Sequence, residues 1–243
     1  MASAYLLVSH GSHDPRPEVA MQQLAKLLSE SLPKHENLIG TATLEVNPQP
    51  LYIQIKEFAD QAVARGCDRL LILPLFLLSG VHVVTDIPAQ VAQAQQAIGE
   101  KISIEIKPHI GSHPHLSRFL TQIIARMEAE ATILLAHHSR RLEAQQQTAT
   151  LAANVGAIAA YWGQAPDLKM RVRELVTLGY QQIAILAYFL FPGSITDAIA
   201  QAVEELKLQF PDITLQLAPP LGASVELAAL MEELIKREEK IFG

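Results

Sequence analysis

The chain has 243 residues, enough for one large domain or two small ones, and 49% of them are hydrophobic, enough for a sizeable core. Its 19 Lys and Arg against 25 Asp and Glu leave a formal charge of −6, which argues against a nucleic-acid partner. The lone cysteine, Cys67, excludes a disulfide framework and a cysteine-ligated iron–sulfur cluster, and fits a reducing cytoplasm.

The first residues, MASAYLLVSHGS, lack the basic and long apolar regions of a signal peptide. The longest apolar run, residues 70–78, contains Pro74 and is far shorter than the roughly 20 residues a membrane span needs. A soluble cytoplasmic protein with no membrane partner is expected.

Short apolar runs then alternate with amphipathic stretches. Strands are predicted over 4–9, 39–46, 69–77 and 102–107, with helices over 15–31, 50–65, 88–98 and 115–128. Runs such as LLILPLFLL suit strands covered on both faces of a parallel sheet, although Pro74 can donate nothing to a ladder. Asp14-Pro15 reads as an N-cap followed by proline at the first helical position, and Gly66 and Gly179 read as helix stops. The order then repeats, with strands predicted over 132–136, 157–162, 182–189 and 213–217.

The repeat is also visible in the residues. GCDRLLILPLFLLSG (66–80) aligns without a gap to GYQQIAILAYFLFPG (179–193), PHIGSHPHL (108–116) to PPLGASVEL (219–227), and HGS at 10 to HHS at 137. The fold class expected is α/β, with two tandem duplicated domains, 1–128 and 129–243. Each would be a four-stranded parallel sheet flanked by helices, with a cleft between the two domains.

Ligands in such sheets bind beyond the carboxyl ends of the strands. His10 follows the first strand, Glu45 ends the second and His82 follows the third. If the first strand is central, all three face one side. Two imidazoles and a carboxylate suit a borderline divalent ion such as Fe²⁺ or Co²⁺ in an open site. In the second half His137 matches His10, no carboxylate matches Glu45, and GVHVVTD has become GSITD, two residues shorter and without histidine. Only the first half keeps the whole set.

The segments LLVSHGSHDP, LEVNP, LPLFLLSGVHVVTDIP and PHIGSHPHL resemble the sirohydrochlorin chelatases, class II chelatases of the CbiX/SirB type. The second half, with YFLFPGSITDAI, resembles the altered C-terminal domain of their long two-domain form. The resemblance implies insertion of Fe²⁺ for siroheme or Co²⁺ for cobalamin into sirohydrochlorin, without ATP and with no cofactor beyond the metal itself. It makes His10 and His82 the metal-binding and catalytic imidazoles, with Glu45 beside them. Ser12, Arg16, His137, Ser139 and Arg140 are the expected receivers of the ring's carboxylates. A two-domain chain is expected to act as a monomer.

Blander roles remain for several residues. His109, His113 and His115 read as a turn entering a helix, Asp86 as an N-cap, and Trp162 and Tyr188 as core. A non-catalytic carrier of metal or tetrapyrrole, or a chelatase for another ring, is the competing function.

Overall fold

A computed structural model describes residues 2–33, 38–139 and 141–236. The expected alternation is present. Strands β1 (Ser3–Ser9), β2 (Leu38–Thr43), β3 (Arg69–Pro74) and β4 (Ser103–Ile106) are joined by helices α1 (Arg16–Ser31), α2 (Leu51–Ala64) and α3 (Ile87–Ile98). Helix α4 (Leu116–Ala125) leads into β5 (Ala131–His137), α5 (Leu142–Asn154), β6 (Ile158–Trp162), α6 (Leu168–Thr177), β7 (Gln182–Tyr188), α7 (Ser194–Gln209), β8 (Thr214–Ala218) and α8 (Val225–Lys236).

The strands form two four-stranded sheets with the same order, β2-β1-β3-β4 and β6-β5-β7-β8, and every pairing is parallel. The first strand of each repeat is therefore internal. Alternation sends successive side chains to opposite faces. In the first sheet Ala4, Leu6, Val8, Leu70 and Ile72 pack with Ile55 and Phe58 of α2 and Val91 and Ile98 of α3. Tyr5, Leu7, Leu71 and Leu73 are buried on the other face. In the second sheet Ile133, Leu135, Ile183 and Ile185 pack with Val172 of α6 and Val203 of α7. Both faces are covered, as the unbroken apolar runs required.

Strand β3 stops three residues before the predicted end. Pro74 lies opposite Val8, and the next ladder bond comes from the Leu75 amide, which donates to the Val8 carbonyl at 2.8 Å. The β1 side of the ladder thus runs on past Pro74, and the N–H that proline lacks is missed on the β4 side, beyond the Lys107 amide's bond to Ile72 O at 2.9 Å. Helices α2 and α6 end beside Gly66 and Gly179, whose φ values of +79° and +91° confirm the predicted stops.

By packing, the chain divides into two compact units. The first runs from Met1 to His113 and takes back the chain from Ala223 onward, and the second is Pro114–Gly222. The reason is local. Helix α8 packs along α1, and His113 Nε2 lies 3.5 Å from Glu233 Oε2 of α8. Leu227, Met231 and Leu234 of α8 are buried, which no sequence periodicity could assign to one repeat rather than the other.

Candidate functional site

His10, Glu45 and His82 come together in the first unit, with one potential ligand atom from each lying within 4.8 Å of the others. Their positions follow from the strand order. Parallel pairing of β1 and β2 continues past the strand ends, where the Leu44 amide donates to Ser9 O at 2.9 Å and the Glu45 amide to His10 O at 2.8 Å. This sets His10 beside Glu45, with His10 Nε2 at 3.7 Å from Glu45 Oε2.

The approach depends on Gly11. It has φ of +97°, and a Cβ there would lie 2.1 Å from the Glu45 carbonyl oxygen. Only glycine fits both demands. Beyond Glu45 the chain turns sharply at Val46, whose φ is +67°. The loop is then clamped by α2. Gln54 Nε2 donates to Thr43 O and to Gln49 O, each at 2.9 Å, and Gln54 Oε1 accepts from the Thr43 amide at 3.1 Å.

His82 reaches the site differently. After β3 the chain makes a π turn, His82–Asp86, that runs straight into α3. The ring centroids of His82 and His10 are 4.8 Å apart, tilted by 36°. Phe76 lies on the other side, 6.1 Å from His82 by centroid. Asp86 does not cap α3 with its side chain, as the sequence suggested. Its Oδ2 instead lies 2.7 Å from His82 Nδ1.

Two ligands on one ion stand at most about 4.2 Å apart, twice a metal–nitrogen bond of about 2.1 Å. The 3.7 Å between His10 and Glu45 falls inside that limit, whereas the 4.8 Å that bounds the whole trio exceeds it, so binding one ion would require the donors to draw slightly closer. Side chains of His10 and Glu45 are each 53% exposed, so an ion held there would be open to incoming ligands rather than enclosed. An oxygen-rich cavity of about 230 Å³ adjoins Glu45, lined among others by Ser9, Ser12, Thr43, Asn47 and Gln54.

Several of the other expected residues are already engaged. Ser12 Oγ accepts from the Asp14 amide at 3.0 Å, and Ser139 Oγ accepts from the Arg141 amide at 3.2 Å. Both copies thus use the same serine turn at the same place. Arg16 grips Asp14 with Nε at 3.0 and 3.1 Å and with its terminal nitrogen at 2.6 Å. These hydrogen bonds hold the Asp14 carboxyl down at about 2. His137 belongs to the second unit, where its Nδ1 sits 2.7 Å from the His138 carbonyl. Arg140 lies outside the described residues.

His109 and His113 are buried, and His109 Nε2 finds no hydrogen-bond partner among the described residues. Burial pushes the His109 imidazole below its ordinary value. Tyr188 is core, its hydroxyl pushed far up by burial. Trp162 packs on the second core and lines a cavity of about 440 Å³ that contains none of the trio. Gln54 and the Asp86 contact were not legible beforehand. Nothing in a glutamine four residues past a proline, or an aspartate four past a histidine, marks a tertiary role.

The CbiX family model matches residues 4–127 and again residues 131–238. A sirohydrochlorin cobaltochelatase of Priestia megaterium is 24% identical over 258 residues, covering 98% of this chain and 80% of that one. The fold resembles SirB from Bacillus subtilis with Fe³⁺, with a TM-score of 0.76 at 20% identity over 97% of this chain and 95% of that one. It also resembles SirB from B. subtilis subspecies spizizenii in complex with cobalt, with a TM-score of 0.72 at 20% identity over 99% and 98%.

Proposed function

The chain belongs to the CbiX family, and from that premise we propose that it is a sirohydrochlorin chelatase, placing Fe²⁺ or Co²⁺ in the ring from a site made of His10, Glu45 and His82. The observation that carries this is the trio itself, two imidazoles and a carboxylate within 4.8 Å at the carboxyl ends of adjacent parallel strands.

Metal insertion requires that water leave the ion, that the ring approach it, and that two pyrrole N–H protons depart. Neutral imidazoles replace some of the water. Three protein ligands leave coordination positions for pyrrole nitrogens. Half-exposed side chains allow a flat ring to come down on the ion, and moderate holding allows it to leave. Glu45, beside His10, is placed to accept a departing proton once the ion transfers. Ser12, Ser139, Arg16, His137 and Arg140 remain the proposed receivers of the ring's carboxylates. Each serine hydroxyl keeps its own O–H to donate, whereas Arg16 must share its guanidinium with Asp14. The repeat boundary near 128, action as a monomer in the cytoplasm, and freedom from ATP or any further cofactor belong to the same proposal.

The test is anaerobic. Sirohydrochlorin is mixed with protein and Fe²⁺, Co²⁺ or Ni²⁺ in buffer free of ATP, and the absorption change is followed above the spontaneous rate. Acceleration through many turnovers is expected, with the ions ranked by rate. No acceleration with any ion refutes the proposal. Saturation at one ring per protein marks a carrier instead. Full acceleration in His10→Ala and His82→Ala refutes the site.

A further inference from the structure

The π turn that carries His82 has no counterpart in the second unit. There the segment is two residues shorter, α7 begins at Ser194 directly after the aligned Gly193, and Thr196 Oγ1 and the Gly193 backbone exchange hydrogen bonds at 2.8 Å as an ordinary cap. The aspartate is kept in both units, as Asp86 and Asp197, but only Asp86 has a histidine four residues before it. The Ile87 amide donates back to the His82 carbonyl, the wide turn that a π segment makes. That turn lays His82 Nδ1 on Asp86 Oδ2 at 2.7 Å, while the Asp86 side chain forms no hydrogen bond to the helix it precedes.

A carboxylate only accepts, so a contact of 2.7 Å to a neutral imidazole requires the proton on Nδ1. Nε2 then carries the lone pair. We propose that Asp86 is a positioning residue that holds His82 in the Nδ1–H tautomer and orients its ring, so that Nε2 is the atom offered beside His10 and Glu45. The inference rests on the reading of His82 as a metal ligand. Without Asp86 the ring divides between tautomers and rotates about its side-chain bonds, and part of the population presents an N–H where a lone pair is needed. Removing such a carboxylate behind a ligand histidine typically costs about 10- to 100-fold in metal affinity.

The test uses the full-length protein with Co²⁺ alone as the probe. Long-range ¹H–¹⁵N spectra of the metal-free protein are expected to show His82 protonated at Nδ1. Asp86→Asn is expected to lose that signature, to weaken Co²⁺ binding by about 10- to 100-fold, and to melt like wild type. Asp197→Asn should leave Co²⁺ affinity unchanged. A wild-type spectrum with the proton on Nε2 overturns the inference by itself, whatever the variant does. Unchanged affinity in Asp86→Asn, with binding abolished in His82→Ala, also overturns it while leaving the site intact. Undiminished binding in His82→Ala sinks the site and the inference together.

Discussion

Gly11→Ala tests whether the loop after the first strand sets the distance between the proposed metal ligands. The new Cβ would start 2.1 Å from the Glu45 carbonyl oxygen and 3.3 Å from Thr43 Cβ. Real contacts of that kind need about 3 Å or more, so one strand end must withdraw by roughly 1 Å. The strain of φ near +97° in a residue with a side chain adds about 1–3 kcal/mol. Withdrawal also threatens the bond from the Glu45 amide to His10, worth about 0.5–1.5 kcal/mol. The sum is about 1.5–4.5 kcal/mol before relaxation. Gly66→Ala separates the two causes, since Gly66 has φ of +79° but nothing within 4 Å of its Cβ position. It should carry the strain alone.

Chemical denaturation should therefore show Gly11→Ala destabilised more than Gly66→Ala. Isothermal titration with Co²⁺ should show a loss of affinity of tenfold or more in Gly11→Ala only, because a movement of about 1 Å is large against a metal bond of about 2.1 Å. If Gly11→Ala binds Co²⁺ within twofold of wild type, the close approach does not govern the site, and the argument from Gly11 is wrong.

Gln54→Ala removes the clamp on the loop that carries Glu45, and its three bonds at 2.9–3.1 Å predict a loss of about 1–3 kcal/mol in urea unfolding, with weaker Co²⁺ binding. Glu45→Gln keeps the shape but removes the anion beside His10, so Co²⁺ affinity should fall while the melting temperature stays close to wild type. His109 gives a pH dependence. Burial depresses its pKa, so the unfolded chain takes up a proton that the folded one refuses, and stability present above the ordinary value near 6.5 is lost as pH falls below it. The slope from this residue is at most about 1.4 kcal/mol per pH unit, and His109→Phe should flatten it between pH 7.5 and 5.5 in thermal melts. An equal slope in wild type and variant would assign the acid sensitivity elsewhere.

Much of this protein was written in local patterns. Unbroken apolar runs meant two-sided burial, because a strand with one wet face would alternate. Two matched series of segments meant two sheets of one topology, and the structure shows β2-β1-β3-β4 answered by β6-β5-β7-β8. His10, Glu45 and His82 were legible as a set because parallel strands deliver all their carboxyl ends to one edge.

What remained hidden depends on contacts between residues distant in sequence or on backbone departures that no residue type announces. Helix α8 has an apolar stripe that would suit either sheet, and only packing against α1 assigns it to the first unit. Pro74 ended its strand early, since the side of the strand on which its N–H would be needed, the β4 side, is set only by the register of the sheet. Asp86 looked like a cap because aspartate before a helix usually is one, yet a π turn gave it to His82. The sequence by itself determined the fold class and which residues could hold a metal. Tertiary structure decided how far apart they stand and what holds each in place, because hydrogen bonds of 2.7–2.9 Å depend on where the backbone goes after each strand ends.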